Sequence, residues 1–389
     1  MAEDRVEIIE KPKIRLKFID MARSFAILLM LEGHFIEHTF KDFKPMIELV
    51  KQNGTSGYLF FDWWYFMKGF TAPLFFTVTG LVFVYLLARN KEARFRRNPR
   101  VKKGFRRAIE LLFWGYALQV NLRYLSNSLN HEHPWLYAFH VLQSIGVGIA
   151  AILIIFGFYR LIKVGPLWLY YFIAGTIIFC FYPYTKGLPP GSYLPSGAPE
   201  IIQNMVSGPS SVFGIIPWMA FTLYGGMVGA LVIRFQDHVK KYWFPLVFIL
   251  VGVVLNIWGR SIGLTLDDVT EMIVGDDMHL VANSWLYGRL GQVLIALGVL
   301  MLVDKLWNFQ GELFLKIGQN TLPIYIIHVM ILYGGLFGYG LNQFMGRSLN
   351  GWQAVLGAAI FIFLFVIFIK YFEFFNGIKQ RFMGLFKGR

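Results

Sequence analysis

Within one largely apolar stretch, residues 18–38 (FIDMARSFAILLMLEGHFIEH), four ionisable side chains recur at helical spacing: Asp20, Arg23, His34 and His38. At 100° per residue, His34 falls about 20° from Arg23, Asp20 and His38 about 60° from it, and Glu32 about 180° away. The first four therefore form one polar stripe on a helix whose other faces are Leu, Ile, Met and Phe. Arginine carries a permanent charge on a planar fork that suits phosphate. Histidine titrates near neutrality and suits general-base work. Eleven residues separate Arg23 and His34 by roughly 16 Å along the axis. A fixed cation at one end and a base at the other suit a long ligand with an anionic end and a remote reactive group. Two plainer readings stand beside this one. Asp20 and Arg23, at i and i+3, pair to lower the cost of burial, and His34 makes an interhelical hydrogen bond. No carboxylate or cysteine completes a ligand set around His34 and His38, so no metal site is expected.

A second polar stripe lies near the C-terminus, in IGQNTLPIYIIH at 317–328. Thr321, Tyr325 and His328 share one face there, Asn320 lies beside them, and Pro323 is tolerated in a first turn. Hydroxyl stripes of this kind also join helices in membranes. Between the two stripes, Asp62 and Lys68 in an aromatic cluster read as an interfacial lead-in to a span. In HVLQSIGVG, Gln143 with Gly146 and Gly148 marks a place where backbones approach closely.

The elements that must position these groups follow from composition. Apolar residues make up 56% of the 389 and charged residues only 15%, well short of the quarter usual in soluble domains. A soluble multidomain enzyme and a disordered chain are both excluded. The single cysteine, Cys180, allows no intrachain disulfide. Stretches long enough to cross a bilayer occur at roughly 18–37, 66–88, 108–126, 139–159, 166–184, 212–233, 243–262, 285–303, 317–338 and 352–372. The expected fold is thus an all-α polytopic integral membrane protein of about ten transmembrane helices. Most of the 37 Lys and Arg residues fall on one side, including the run from Arg89 to Arg107 that contains Arg106. The positive-inside rule then puts both termini in the cytoplasm. The net charge of +14 is read as a topology signal, and no nucleic-acid partner is expected. The chain divides into a cytoplasmic tail (1–17), one membrane domain (18–372) and a basic cytoplasmic tail (373–389). Outer loops are expected near 38–58, 127–138, 185–211, 263–284 and 339–351. The fourth is acidic, with Asp267, Asp268, Glu271, Asp276 and Asp277, and reads as a solvated loop. The polar residues of the first stretch, and the lack of a small-residue cleavage site after it, argue against a cleavable signal.

Five segments together resemble the transmembrane acyltransferase superfamily: RLKFIDMAR at 15–23, the Arg23–His34 spacing, FTAPLFFTVTG at 70–80, VLQSIG at 141–146 and IGQNTLPIYIIH at 317–328. They resemble most the bacterial branch of the heparan-α-glucosaminide N-acetyltransferase catalytic-domain family, and more distantly the acyltransferase-3 proteins. The resemblance implies a bacterial inner-membrane enzyme that moves an acyl group, acetyl above all, from cytosolic acyl-CoA to a carbohydrate or lipid-linked acceptor on the far side. Acyl-CoA also has the shape that the Arg23–His34 spacing suits. Arg23, held by Asp20, would take its phosphates with Arg106 or Arg107, and Gln143 is grouped with them. His34 would be the base, with His38 as the alternative, and His328 and Asn320 would serve the acceptor side or the developing oxyanion. Ser144 stands where some relatives have an arginine, and Pro45 where the lysosomal sugar N-acetyltransferase has its histidine. A direct transfer is expected over an acyl-histidine intermediate, and a homodimer is compatible with the resemblance. A transporter or flippase of a charged solute would use similar polar stripes.

Overall fold

The computed structural model describes residues 16–89, 95–122, 134–186, 188–189, 192–208, 210–275 and 278–387. The N-terminal tail through residue 15, Lys91 and Arg94 of the basic run, the loop at 127–133, Asp276 and Asp277, and the side chains of the basic C-terminal tail lie outside the described residues. The helices are α1 (Lys17–Thr39), α2 (Phe43–Asn53), α3 (Leu59–Ala88), α4 (Pro99–Ala117), α5 (Val141–Ile162), α6 (Leu167–Thr185), α7 (Glu200–Val206), α8 (Ile215–Arg234), α9 (Trp243–Val274), α10 (Ser284–Trp307), α11 (Glu312–Gln319), α12 (Thr321–Tyr333), α13 (Leu341–Phe344) and α14 (Gly351–Lys387). Pairing between extended segments among the described residues is limited to the isolated bridges Phe40–Leu349 and Asn121–Leu336.

All ten expected stretches contain helix, but not as ten uniform spans. Seven described helices are long and apolar enough to cross a membrane, or eight if the bent pair α11–α12 counts as one. α1 fails that test because of its charges and is still a continuous 23-residue helix. The third stretch is displaced. α4 starts at Pro99, where the Asn98 side chain accepts the Arg100 N–H at 2.9 Å, and it ends at Ala117 rather than near residue 126. An N-cap asparagine followed by proline at the first helical position is a strong start signal, and here it outweighs the hydropathy centre. The acidic loop is also corrected. α9 continues to Val274, and the Asp267 carboxylate, buried rather than solvated, accepts the N–H groups of Leu280 and Val281. That contact organises the start of α10.

The ninth stretch is broken. α11 and α12 meet at Asn320 with a 74° bend, and the Asn320 side-chain amide donates back to the Lys316 carbonyl at 2.9 Å. α11 presses on α1 so closely that a Cβ on Gly318 would overlap the Asp20 carbonyl. Ser24 ties the pair together by donating to the carbonyls of Asp20 and Phe314. α12 then turns to run beside the polar stripe of α1.

The rest of the bundle is held by close helix crossings. α3 and α8 touch backbone to backbone: a Cβ on Gly80 would overlap the Thr222 carbonyl oxygen, and one on Gly225 the Thr77 carbonyl oxygen. Small residues at such crossings give membrane helices their packing energy. α9 and α14 bury only 22% of their spanning windows and present Leu250, Ile257, Ile360 and Phe363 outward, as lipid-facing helices do. Replacing Gly80 by Val forces α3 from α8, and overpacking of this kind costs about 1–3 kcal/mol. Thermal unfolding in detergent is expected to show a marked loss for Gly80→Val. Gly288→Ala, where the nearest atom to a new Cβ is 3.9 Å away, is expected to leave the transition in place. Equal behaviour of the two would contradict the crossing.

Candidate functional site

The polar stripe of α1 faces α12 along its length. At one end an Arg23 guanidinium nitrogen donates to the Thr321 hydroxyl at 3.4 Å, with the Asp20 carboxylate 3.8 Å away on the other side. Gln319 also donates to Asp20, at 3.2 Å. Further along, His34 Nδ1 and His328 Nε2 lie 3.1 Å apart. Beyond them the Tyr333 ring stands edge-on to His34 and His38, with centroids 5.7 and 4.6 Å away. Thr321, Tyr325 and His328 are buried and form one row opposite the α1 stripe. Glu32, on the far face of α1, accepts a hydrogen bond from the Trp64 indole on α3.

His328 is fully buried, and its Nδ1 has no hydrogen-bond partner among the described residues. The 3.1 Å contact joins the two rings through one shared proton, and which ring donates it depends on the tautomers. His34 also lines the larger cavity beside the stripe.

Two cavities flank the stripe. The larger, about 520 Å³, is lined by His34, Glu37, His38, Lys68, Thr71, Gln143, Tyr325 and Tyr333, among others. The smaller, about 150 Å³, is lined by Arg23, Arg107, Thr79, Thr321 and apolar side chains. Leu142 and Tyr325 line both. They form the wall between an arginine end and a histidine end. The two groups that sequence spacing singled out thus face the same neighbouring helix from adjoining cavities that share Leu142 and Tyr325 in their lining.

The other expected site residues divide. Arg107 lines the smaller cavity, where Glu110 pairs with it at 3.0 Å. Arg106 lies on the exposed face of α4. Gln143, grouped with the phosphate side in the sequence reading, instead lines the histidine cavity. Asn320 lines neither cavity and sits at the bend between α11 and α12. Among the described residues no cluster of three or more His, Cys, Asp or Glu could hold a metal.

Three contributors escape the sequence reading. Glu37 lies 14 residues after Arg23, within about 40° of it on the helix, so its place on the stripe was available from spacing. Lys68 pairs with Glu37 at 2.8 Å, both side chains partly exposed and both lining the cavity. Asp62, by contrast, accepts from Thr55 and from the Ser56 N–H at 2.8 Å and so locks the turn before α3. Thr71 lines the cavity one turn beyond Lys68, a direction that hydropathy alone does not give.

Removing either partner of the Lys68–Glu37 pair strands the other in a partly dry cavity. The pair lies between the surface and buried limits, so Lys68→Met and Glu37→Gln are each expected to cost about 1–2 kcal/mol. The double variant is expected to recover part of that loss in a double-mutant cycle of thermal unfolding. Strict additivity would mean that the two side chains do not interact.

The acyltransferase-domain family of the acyltransferase-3 type matches residues 16–371, an interval that contains both stripes and both cavities. No curated protein matches the chain. The family indicates membrane acyltransferase activity, and the long apolar helices place the protein in a membrane. The chain belongs to the acyltransferase-3 family of membrane acyltransferases.

Proposed function

We propose that the protein transfers an acyl group from cytosolic acyl-CoA to a hydroxyl or amine of a carbohydrate or lipid-linked acceptor on the far side of the membrane. The observation that carries the reading is the pair of adjoining cavities, one with Arg23 and Arg107 and one with His34, divided by Leu142 and Tyr325. With the N-terminus in the cytoplasm, the arginine end opens toward the donor's compartment. Guanidinium groups and hydroxyls suit the phosphates of the donor, and Asp20 keeps Arg23 oriented. The smaller cavity holds less than a nucleotide, so the bulk of the donor rests outside it. Only the pantetheine arm then has to pass between Leu142 and Tyr325.

His34 supplies the base. In this reading His34 donates its Nδ1–H to His328 Nε2, 3.1 Å away, which holds the tautomer and stabilises the imidazolium that forms. His34 Nε2 takes the proton of the acceptor O–H or N–H as the acceptor atom bonds to the thioester carbonyl carbon. The carbonyl electrons move to oxygen, then return as the C–S bond breaks. The departing CoA thiolate takes the proton from His34, leaving acylated acceptor and CoA. The acceptor approaches from the larger cavity, where Lys68, Glu37, Thr71 and Gln143 offer hydrogen bonds of the kind a sugar uses. His38 packs T-shaped against Tyr333 and lacks the His328 contact, so the assignment goes to His34. The heparan-α-glucosaminide-like branch, a bacterial inner membrane and an acetyl donor remain parts of this proposal, as does a homodimer.

A positioned base contributes about 10²–10⁴-fold. CoA release from acetyl-CoA by purified protein in detergent, with and without glucosamine, is expected to fall by roughly that factor in His34→Ala. Arg23→Met is expected to act mainly on KM for acetyl-CoA. Unchanged turnover in His34→Ala would remove the base assignment, and wild-type protein that releases no CoA would remove the donor.

A further inference from the structure

Gln143 is the one fully buried amide in the wall of the histidine cavity: its side chain is 0% exposed, and neither Oε1 nor Nε2 has a hydrogen-bond partner among the described residues. An unmatched buried amide is costly, and native interiors keep few of them without a reason. Something beyond folding retains the amide.

Its position is held from behind. A Cβ on Gly115 would stand 2.5 Å from Gln143 Cδ and 2.6 Å from Oε1, so α4 presents a glycine where the amide needs room. The residue before it, Leu142, belongs to the wall shared by both cavities, whereas Gln143 belongs to the His34 side alone. Thr71, nine-tenths buried and with an unpartnered hydroxyl, lines the same cavity. A polar ligand group that passes Leu142 therefore enters a space bordered by a covered amide that has no partner of its own and is packed from behind.

We propose that Gln143 is a catalytic residue whose Nε2–H donates to the carbonyl oxygen of the acyl donor and stabilises the oxyanion formed on attack. The inference rests on the acyl-transfer reading above and deepens it. As the acceptor oxygen or nitrogen bonds to the carbonyl carbon, the C=O electron pair localises on oxygen and the Gln143 hydrogen bond strengthens. When the C–S bond breaks the carbonyl re-forms, and the amide returns to its resting state without gaining or losing a proton. A donor held in place before charge develops needs no reorganisation during the step, which is what makes such groups effective. His328 and Asn320 are relieved of this task. The first is committed to His34 and the second to the Lys316 carbonyl.

The test uses full-length protein in detergent, acetyl-CoA as donor and water as the acceptor, so that no sugar-binding step contributes. Gln143→Glu keeps the shape without the amide donor, and Gln143→Leu removes both polar atoms. Both are expected to lower kcat for CoA release about 10²–10³-fold with KM for acetyl-CoA little changed, while Gln143→Leu keeps or raises the thermal transition. Wild-type kcat in Gln143→Leu would overturn the proposal. So would a loss of kcat matched by a lower thermal transition in that variant, which would make the residue structural. A defect seen only when glucosamine is added would assign the amide to the acceptor instead, and also overturn it. If wild-type protein itself releases no CoA, the failure lies with the acyl-transfer reading and is distinguishable from these outcomes.

Discussion

A charged side chain inside a bilayer costs about 2.5–3.5 kcal/mol at a helix centre even on the lenient insertion scale. α1 carries several, and it folds into the membrane because α12 offers a matching row: Thr321 against Arg23, His328 against His34, and the Tyr333 ring against His38. The architecture around these two helices serves that pairing. α11 presses on α1 through Gly318 and Ser24, the chain bends by 74° at Asn320, and α12 then follows the stripe. Without the bend, one straight helix would carry Thr321 and His328 past α1 rather than along it.

The same pairing turns a structural necessity into chemistry. His328 engages Nδ1 of His34, so Nε2 is the ring nitrogen outside that contact. Arg23 is satisfied by Asp20 and Thr321 and still lines a cavity with Arg107. Leu142 and Tyr325 line both cavities. On the proposed acyl transfer, a donor that bridges the two ends passes between these same two side chains.

Much of this was legible in the sequence because helical periodicity is a strong constraint. The angle between Arg23 and His34, the opposite placing of Glu32, and the common face of Thr321, Tyr325 and His328 all follow from 100° per residue, and the contacts of each agree. Glu37 was legible by the same rule. Other features depend on which helix becomes the neighbour, and one chain read alone does not supply that. Lys68 looked like an interfacial anchor because its reach across to Glu37 depends on how α3 leans on α1. Gln143 was set with the phosphate side because sequence order does not say which side of the Leu142 wall a residue faces. The early start of α4 at Pro99 was marked by Asn98 and the proline, yet the hydropathy centre drew attention further along. Asp267 shows the converse: an acidic cluster reads as solvated until α9 is seen to carry it back against the N–H groups of Leu280 and Val281.

The most direct measurement is a cryo-electron microscopy map of the protein with a thioether analogue of acetyl-CoA, which binds but cannot transfer. Density is expected to begin beside Arg23 and Arg107, to part Leu142 from Tyr325, and to end next to His34 and Gln143. Analogue bound elsewhere, with the Leu142–Tyr325 wall closed and the His34 cavity vacant, would contradict the proposal.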